Sequence, residues 1–169
     1  MKKLFAIVLV VMLALGTVSA LADKELNWTE EYAAQAEQIG GEFVAIEELG
    51  LVMWVPADMP AQEVSEGYQA IGYFAIYGND SAAVALQYVE SDGADLMEKV
   101  NNIEGAANAE AMTVNGLPCV NFDMPDYDGT CVAFATEKGN VFVITFTPIS
   151  SEDFKANAQV IMASLQAAE

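Results

Sequence analysis

Residues 109–148, AEAMTVNGLPCVNFDMPDYDGTCVAFATEKGNVFVITFTP, restrict the fold more than any other stretch. Apolar and polar positions alternate along them, and three turn signals interrupt the alternation. Asn115-Gly116 is the strongest of the three, because both residues tolerate positive φ and a two-residue hairpin turn requires it. The second turn falls near Asp126–Gly129 and the third at Glu137–Asn140. After them, Phe142, Ile144 and Phe146 share one face of a strongly β-prone strand. Short turns join neighbouring strands antiparallel, so this region reads as a meander, and its apolar side requires a cover.

The rest of the chain supplies the cover. NWTEEYAAQAEQIGG reads as a helix, with Trp28, Tyr32, Ala36 and Ile39 near helical spacing and Gly40-Gly41 ending it. Asn27-Trp28-Thr29 also matches a glycosylation sequon. Residues 42–56 read as strand, turn at Gly50, and strand, bounded by Pro56 and Pro60. Residues 61–68 are polar and read as loop. Residues 68–89 read as a hairpin turning at 78–81, with Val84, Leu86 and Tyr88 on one face. DLMEKVNNIEG reads as a helix with Leu96, Val100 and Ile103 inward, Asp92 as its cap and Gly105 as its stop. The closing helix carries Phe154, Ala158, Ile161 and Leu165, with Ser150 and Asp153 at capping-box spacing. The fold class is therefore α+β: a largely antiparallel sheet flanked by helices.

The first 22 residues stand apart. A basic MKK, an apolar LFAIVLVVMLALG and small residues ending at Ala20-Leu21-Ala22 match a cleaved signal peptide, with a mature chain from Asp23. Residues 23–41 then form an N-terminal helical segment and residues 42–169 one α+β domain. No later apolar run is long enough to span a bilayer, so no stable membrane insertion is expected after cleavage. The expected location is secreted, periplasmic or extracellular. A chain of about 150 residues buries roughly 68–70% of its unfolded surface, enough for one sizeable core.

Charge narrows the partners. The chain has 25 acids against six basic residues, a formal net charge of −19, and no histidine. All six basic residues are lysine, and two of these lie in the leader. Nucleic acid and anionic membranes are unsuited partners, since both draw on Lys and Arg. Cationic partners are suited: a basic protein patch, a basic peptide or a divalent metal. The same charge favours a soluble monomer. Without histidine, a Ser–His–Asp triad, a Cys–His pair and histidine zinc ligation cannot be built within the chain. No dinucleotide or phosphate loop motif occurs.

The order of elements resembles the Mog1/PsbP-like fold family. The likeness covers residues 42–166 and is carried by LVMWVPADMP, YFAIYGNDSAAVALQYV, DLMEKVNNI, VNGLPCVNFDM, CVAFATEKGNVFVITFTP and SEDFKANAQVIMASL. Small exported bacterial proteins of this fold are similar too. The resemblance implies an α/β/α sandwich with binding or assembly roles rather than one shared reaction. No functional residue of the family carries over.

The leading functional expectation is an exported, acidic, non-enzymatic domain that binds or assembles a protein or a cell-surface polymer. Five aromatic residues offer a groove for a sugar or peptide: Trp54, Tyr68, Tyr73, Tyr77 and Tyr88, with Tyr127 beside the second turn. The alternative for them is the core of the sheet. Asp123, Asp126 and Asp128 are hard oxygen ligands around a turn and offer weak Ca²⁺ binding, though Asp is also an ordinary turn former. No other cofactor is implied. Cys119 and Cys131 are a disulfide, two small buried apolar residues or, without a histidine to activate it, a reactive thiol. A turn centred near residue 127 would set Cys131 opposite Asp123 and Cys119 opposite Ala135, too far apart to bond. A hydrolase with carboxylates paired in space is a further alternative. Glu30-Glu31 and Glu47-Glu48 are adjacent acids; the second two do not make such a pair locally if the strand continues through both, since neighbours on a strand face opposite ways.

Overall fold

The computed structural model describes residues 24–136 and 140–168. The predicted leader lies outside them, as do residues 137–139 of the third meander turn. The first half of the chain builds β1 (Lys24–Leu26), α1 (Glu30–Ile39), β2 (Gly41–Ile46), β3 (Leu51–Pro56), β4 (Ala61–Gln62) and α2 (Glu66–Ala70). The hairpin β5 (Tyr73–Gly78) and β6 (Ala83–Val89) follows, then α3 (Leu96–Asn101). The meander comprises β7 (Ala107–Val114), β8 (Leu117–Met124), β9 (Gly129–Ala135) and β10 (Val141–Thr147). The chain closes with α4 (Glu152–Ala163) and β11 (Gln166–Ala167). Eight strands form one sheet in the order β1-β7-β8-β9-β10-β6-β5-β4, and three form a smaller sheet ordered β11-β3-β2. Among the described residues every strand pairing is antiparallel except β1 on β7. The architecture is mixed α+β, as the sequence pattern predicts.

The turns follow their residues. Asn115 and Gly116 take φ of 49° and 77°, the positive values the predicted hairpin needs. The second turn is a single 3₁₀ turn over Pro125–Tyr127, ended by Asp128 at φ 49°. That geometry sets Met124 opposite Gly129 and Phe122 opposite Cys131. The register is thus one residue away from the expected Asp123–Cys131 opposition. The 3₁₀ turn and its cap fill a four-residue connection, Pro125–Asp128, and so centre it between Asp126 and Tyr127.

The alternation of β10 divides the interior in two. Phe142, Ile144 and Phe146 enter the larger core with Val84 and Leu86, beneath the stripe Phe154, Ala158, Ile161 and Leu165. Val141 and Val143 enter a smaller core with Val120, Phe122 and Ala133, covered by Val100 of α3. Both faces of β10 are therefore roofed, where the sequence marked only one. β3 is also buried on both sides: Leu51, Met53, Trp54 and Val55 all belong to the larger core.

Several local expectations shift by a residue or more. Asp95, not Asp92, caps α3; its carboxylate accepts from the Glu98 amide at 2.9 Å. Asp92 instead offers its carbonyl to the Asn102 side chain at 2.8 Å. Ser151, not Ser150, caps α4, accepting from the Phe154 amide at 3.4 Å. Residues 61–68, read as loop, hold β4 and the start of α2. The strand at 41–46 stops at Ile46, so Glu47 falls on a 3₁₀ turn with its side chain exposed.

Two polar side chains join the layers. Asn115 accepts from the Trp28 amide at 2.6 Å and donates to the Ala163 and Leu165 carbonyls, both at 2.7 Å. One turn residue thus ties the start of α1 to the end of α4. Ser164, fully buried, accepts from the Trp54 amide at 2.8 Å and donates to the Ile161 carbonyl at 2.6 Å. Its hydroxyl takes over from β11, whose backbone pairing on β3 covers only Leu51 and Val52. Without it the Trp54 amide would be a buried orphan donor.

Candidate functional sites on the two faces of the sheet

The six aromatic candidates separate. Trp54 is buried in the larger core. Tyr88 packs there against Phe74 and Phe142, at ring-centroid distances of 5.2 and 5.6 Å. Tyr77 also packs against that core. These three serve the interior.

Tyr68 and Tyr73 meet on the opposite face, and Tyr127 lies near them. Tyr73 pairs with Gln87, which alternates with the larger-core residues Leu86 and Tyr88 on β6, so Tyr73 faces away from the larger core. Its ring meets Tyr68 of α2 edge-on, with centroids 5.4 Å apart. Burial raises the Tyr73 pKa above its ordinary value, and the nearby Tyr127, Cys131 and Tyr68 add to the rise. Tyr127 reaches this place from the 3₁₀ turn, whose carbonyl accepts from the Thr147 hydroxyl at 2.8 Å. Tyr68 is 53% exposed, Tyr127 68% and the neighbouring chain position Ile71 59%. Such large exposed apolar residues are informative when grouped. Glu66 lies on α2 with Tyr68, and Asp126 precedes Tyr127; both acids are exposed.

The three candidate aspartates do not converge. Asp123 accepts from the Asn108 side chain at 2.8 Å. Asp128 accepts from the Ser150 amide at 3.1 Å and from the Ser150 hydroxyl, fastening the turn to the start of α4. Among the described residues, no group of three or more acids or cysteines is arranged to hold a metal ion. The acidic turn works as a structural clamp on two of its three carboxylates.

The cysteines are both free and both buried. Cys119 belongs to the larger core and Cys131 to the smaller one, so the sheet itself stands between them. The disulfide alternative is thereby removed and the buried apolar alternative holds. Burial pushes both thiols up to about 12, with a hydrogen bond to Thr145 opposing part of the rise at Cys131. Neither thiol is activated as a nucleophile.

A cleft of about 550 Å³ opens on the larger-core face, between α4, β1 and the ends of β7 to β9. Leu26, Tyr32, Met112, Ile149 and Met162 form its apolar walls, and Asn121, Thr130 and Gln159 its polar points. Lys24 and Lys155 both border it. Lys24 pairs with Glu110, whereas Lys155 has no ion-pair partner among the described residues. Sequence reasoning missed this cleft. Its residues are scattered from 24 to 162, and β1 is three residues long, too short for any periodic signal.

No helix among the described residues is long and apolar enough to cross a membrane. Comparison of the sequence with protein-family models finds no match, and comparison with curated proteins finds none of significance.

Proposed function

We propose that the chain is an exported, non-enzymatic binding domain that captures a basic polypeptide segment on the Tyr68–Tyr73–Tyr127 face. The observation that carries this reading is the ring contact of Tyr68 with Tyr73, with Tyr127 nearby: Tyr68 and Tyr127 are more than half exposed, exposed acids adjoin them in the chain, and the net charge is −19. Exposed aromatic rings attract cations over their faces by roughly 0.5–1 kcal/mol each. Neighbouring carboxylates add charge complementarity and speed encounter. Tyrosine also offers contact area at little loss of side-chain freedom. The resemblance to the Mog1/PsbP-like family, whose members bind and assemble, agrees with this role and is part of the proposal.

The test is fluorescence anisotropy with a labelled lysine-rich twelve-residue peptide. The Tyr68→Ala/Tyr127→Ala variant keeps every charge and should lose about tenfold or more in affinity. Equal binding by the variant overturns the reading, because bulk charge alone would then hold the peptide. Binding of a neutral polysaccharide with no response to the peptide overturns it in favour of a surface polymer. For export, sequencing the purified protein from cell fractions should give Asp23 as the first residue outside the cytoplasm. Recovery in the cytosol with residue 1 intact would remove that part.

A further inference from the structure

We infer that the cleft beside α4 binds a small carboxylate with an unbranched apolar tail, the Lys155 ammonium taking the head and the Leu26, Met112 and Met162 walls taking the tail. The volume of about 550 Å³ falls within the range of roughly 300–1,000 Å³ usual for small-molecule sites. Walls of this kind suit an alkyl chain, since methionine side chains are flexible and adapt to irregular apolar shapes. Polar recognition is confined to few points, Gln159 foremost, since the Asn121 amide already donates to the Thr130 hydroxyl and the Cys131 carbonyl.

The charge distribution selects the head group. Lysine is scarce in this chain, yet two lysines border this one cleft. Two carboxylates border it as well, Glu25 and Asp123. Asp123 accepts a hydrogen bond from Asn108, and Lys24 is held by Glu110. Of the two lysines bordering the cleft, Lys155 is the one without an ion-pair partner among the described residues, and so the one left to a ligand. It stands one helical turn from Gln159 on α4, so both reach the same rim. A carboxylate entering here works against the negative field of the whole protein, which makes Lys155 the residue on which its affinity depends.

The probes are decanoate, decan-1-ol and protonated decylamine at submicellar concentration, titrated into the purified protein by calorimetry. Trp28 fluorescence is followed in parallel, since Trp28 stacks on the cleft residue Tyr32 at 6.4 Å. Decanoate should bind about tenfold more tightly than decanol. Lys155→Met keeps the apolar stem, lies on an exposed position and should erase that preference with an unchanged circular dichroism spectrum. The Tyr68→Ala/Tyr127→Ala variant should bind decanoate as the parent does, which separates this site from the tyrosine face. Decanol binding as well as decanoate, decylamine binding best of the three, or Lys155→Met leaving the preference intact would each overturn the inference.

Discussion

The two faces of the eight-stranded sheet are built from the same strands and finished differently. On one, α1, α4 and the three-stranded sheet enclose a core running from Ala36 to Leu165. On the other, the six-residue α3 covers a smaller group around Phe122, Val143 and Val100. Beyond α3, half-buried Thr145 and Thr147 of β10 give way to exposed tyrosines. Apolar burial at about 25 cal/mol per Å² makes the first face the main source of stability. The second face carries less of it and leaves surface free for contact. Dense packing and exposed aromatic surface are thus divided across one sheet, each cysteine marking the interior of one side.

Substitution of core residues should break this contrast most visibly. Phe142→Ala removes a fully buried ring packed against Phe74 at 5.4 Å, and a loss of about 3–5 kcal/mol is expected in urea unfolding. Val143→Ala, its neighbour on the thinner face, removes two methyl groups and should cost about 2 kcal/mol. Equal losses would mean that the two faces contribute alike.

The layer joints should come next. Ser164→Ala leaves the Trp54 amide without its partner inside the larger core and should cost about 1–3 kcal/mol. Asn115→Gly sharpens the reading of the hairpin, because glycine keeps the positive φ while losing three hydrogen bonds that cross to α1 and α4. A loss near 2 kcal/mol is expected; a neutral outcome would reduce Asn115 to a turn former.

The smallest effect concerns the thiols. Both have folded pKa values pushed up to about 12, above the ordinary thiol value of about 8.5 for an unfolded chain. Folding therefore holds protons that the unfolded chain releases. This contribution is complete below about pH 8.5 and is lost as pH rises toward 12. Stability should be level in this respect at neutral pH and fall under alkaline conditions, more gently in the Cys131→Ser variant. At neutral pH, native protein should leave both thiols unmodified by iodoacetamide, and urea should expose two. A count of zero in urea would signal the disulfide that the sheet geometry forbids.

Much of this was legible in the residues. The Asn115-Gly116 turn, the face shared by Phe142, Ile144 and Phe146, and the stripe from Phe154 to Leu165 follow from local chemistry and period. Those are short-range properties, and the structure keeps them. The register at Pro125–Tyr127 was not legible, because one residue can be absorbed in a turn at small energetic difference. Nor was the split of the aromatic residues. Tyrosine and tryptophan favour strands whether they face a core or solvent, so their types could not separate Trp54 from Tyr127.

The sequence by itself determined an acidic α+β chain with a meander at its centre, since alternation and turn chemistry act between near neighbours. Only the tertiary structure decided which tyrosines meet, that Cys119 and Cys131 lie on opposite sides, and that Lys24 and Lys155 border one cleft. Those relations join residues far apart in the chain. They arise from how strands order and helices settle to exclude water, a choice made by the whole core rather than by any segment of it.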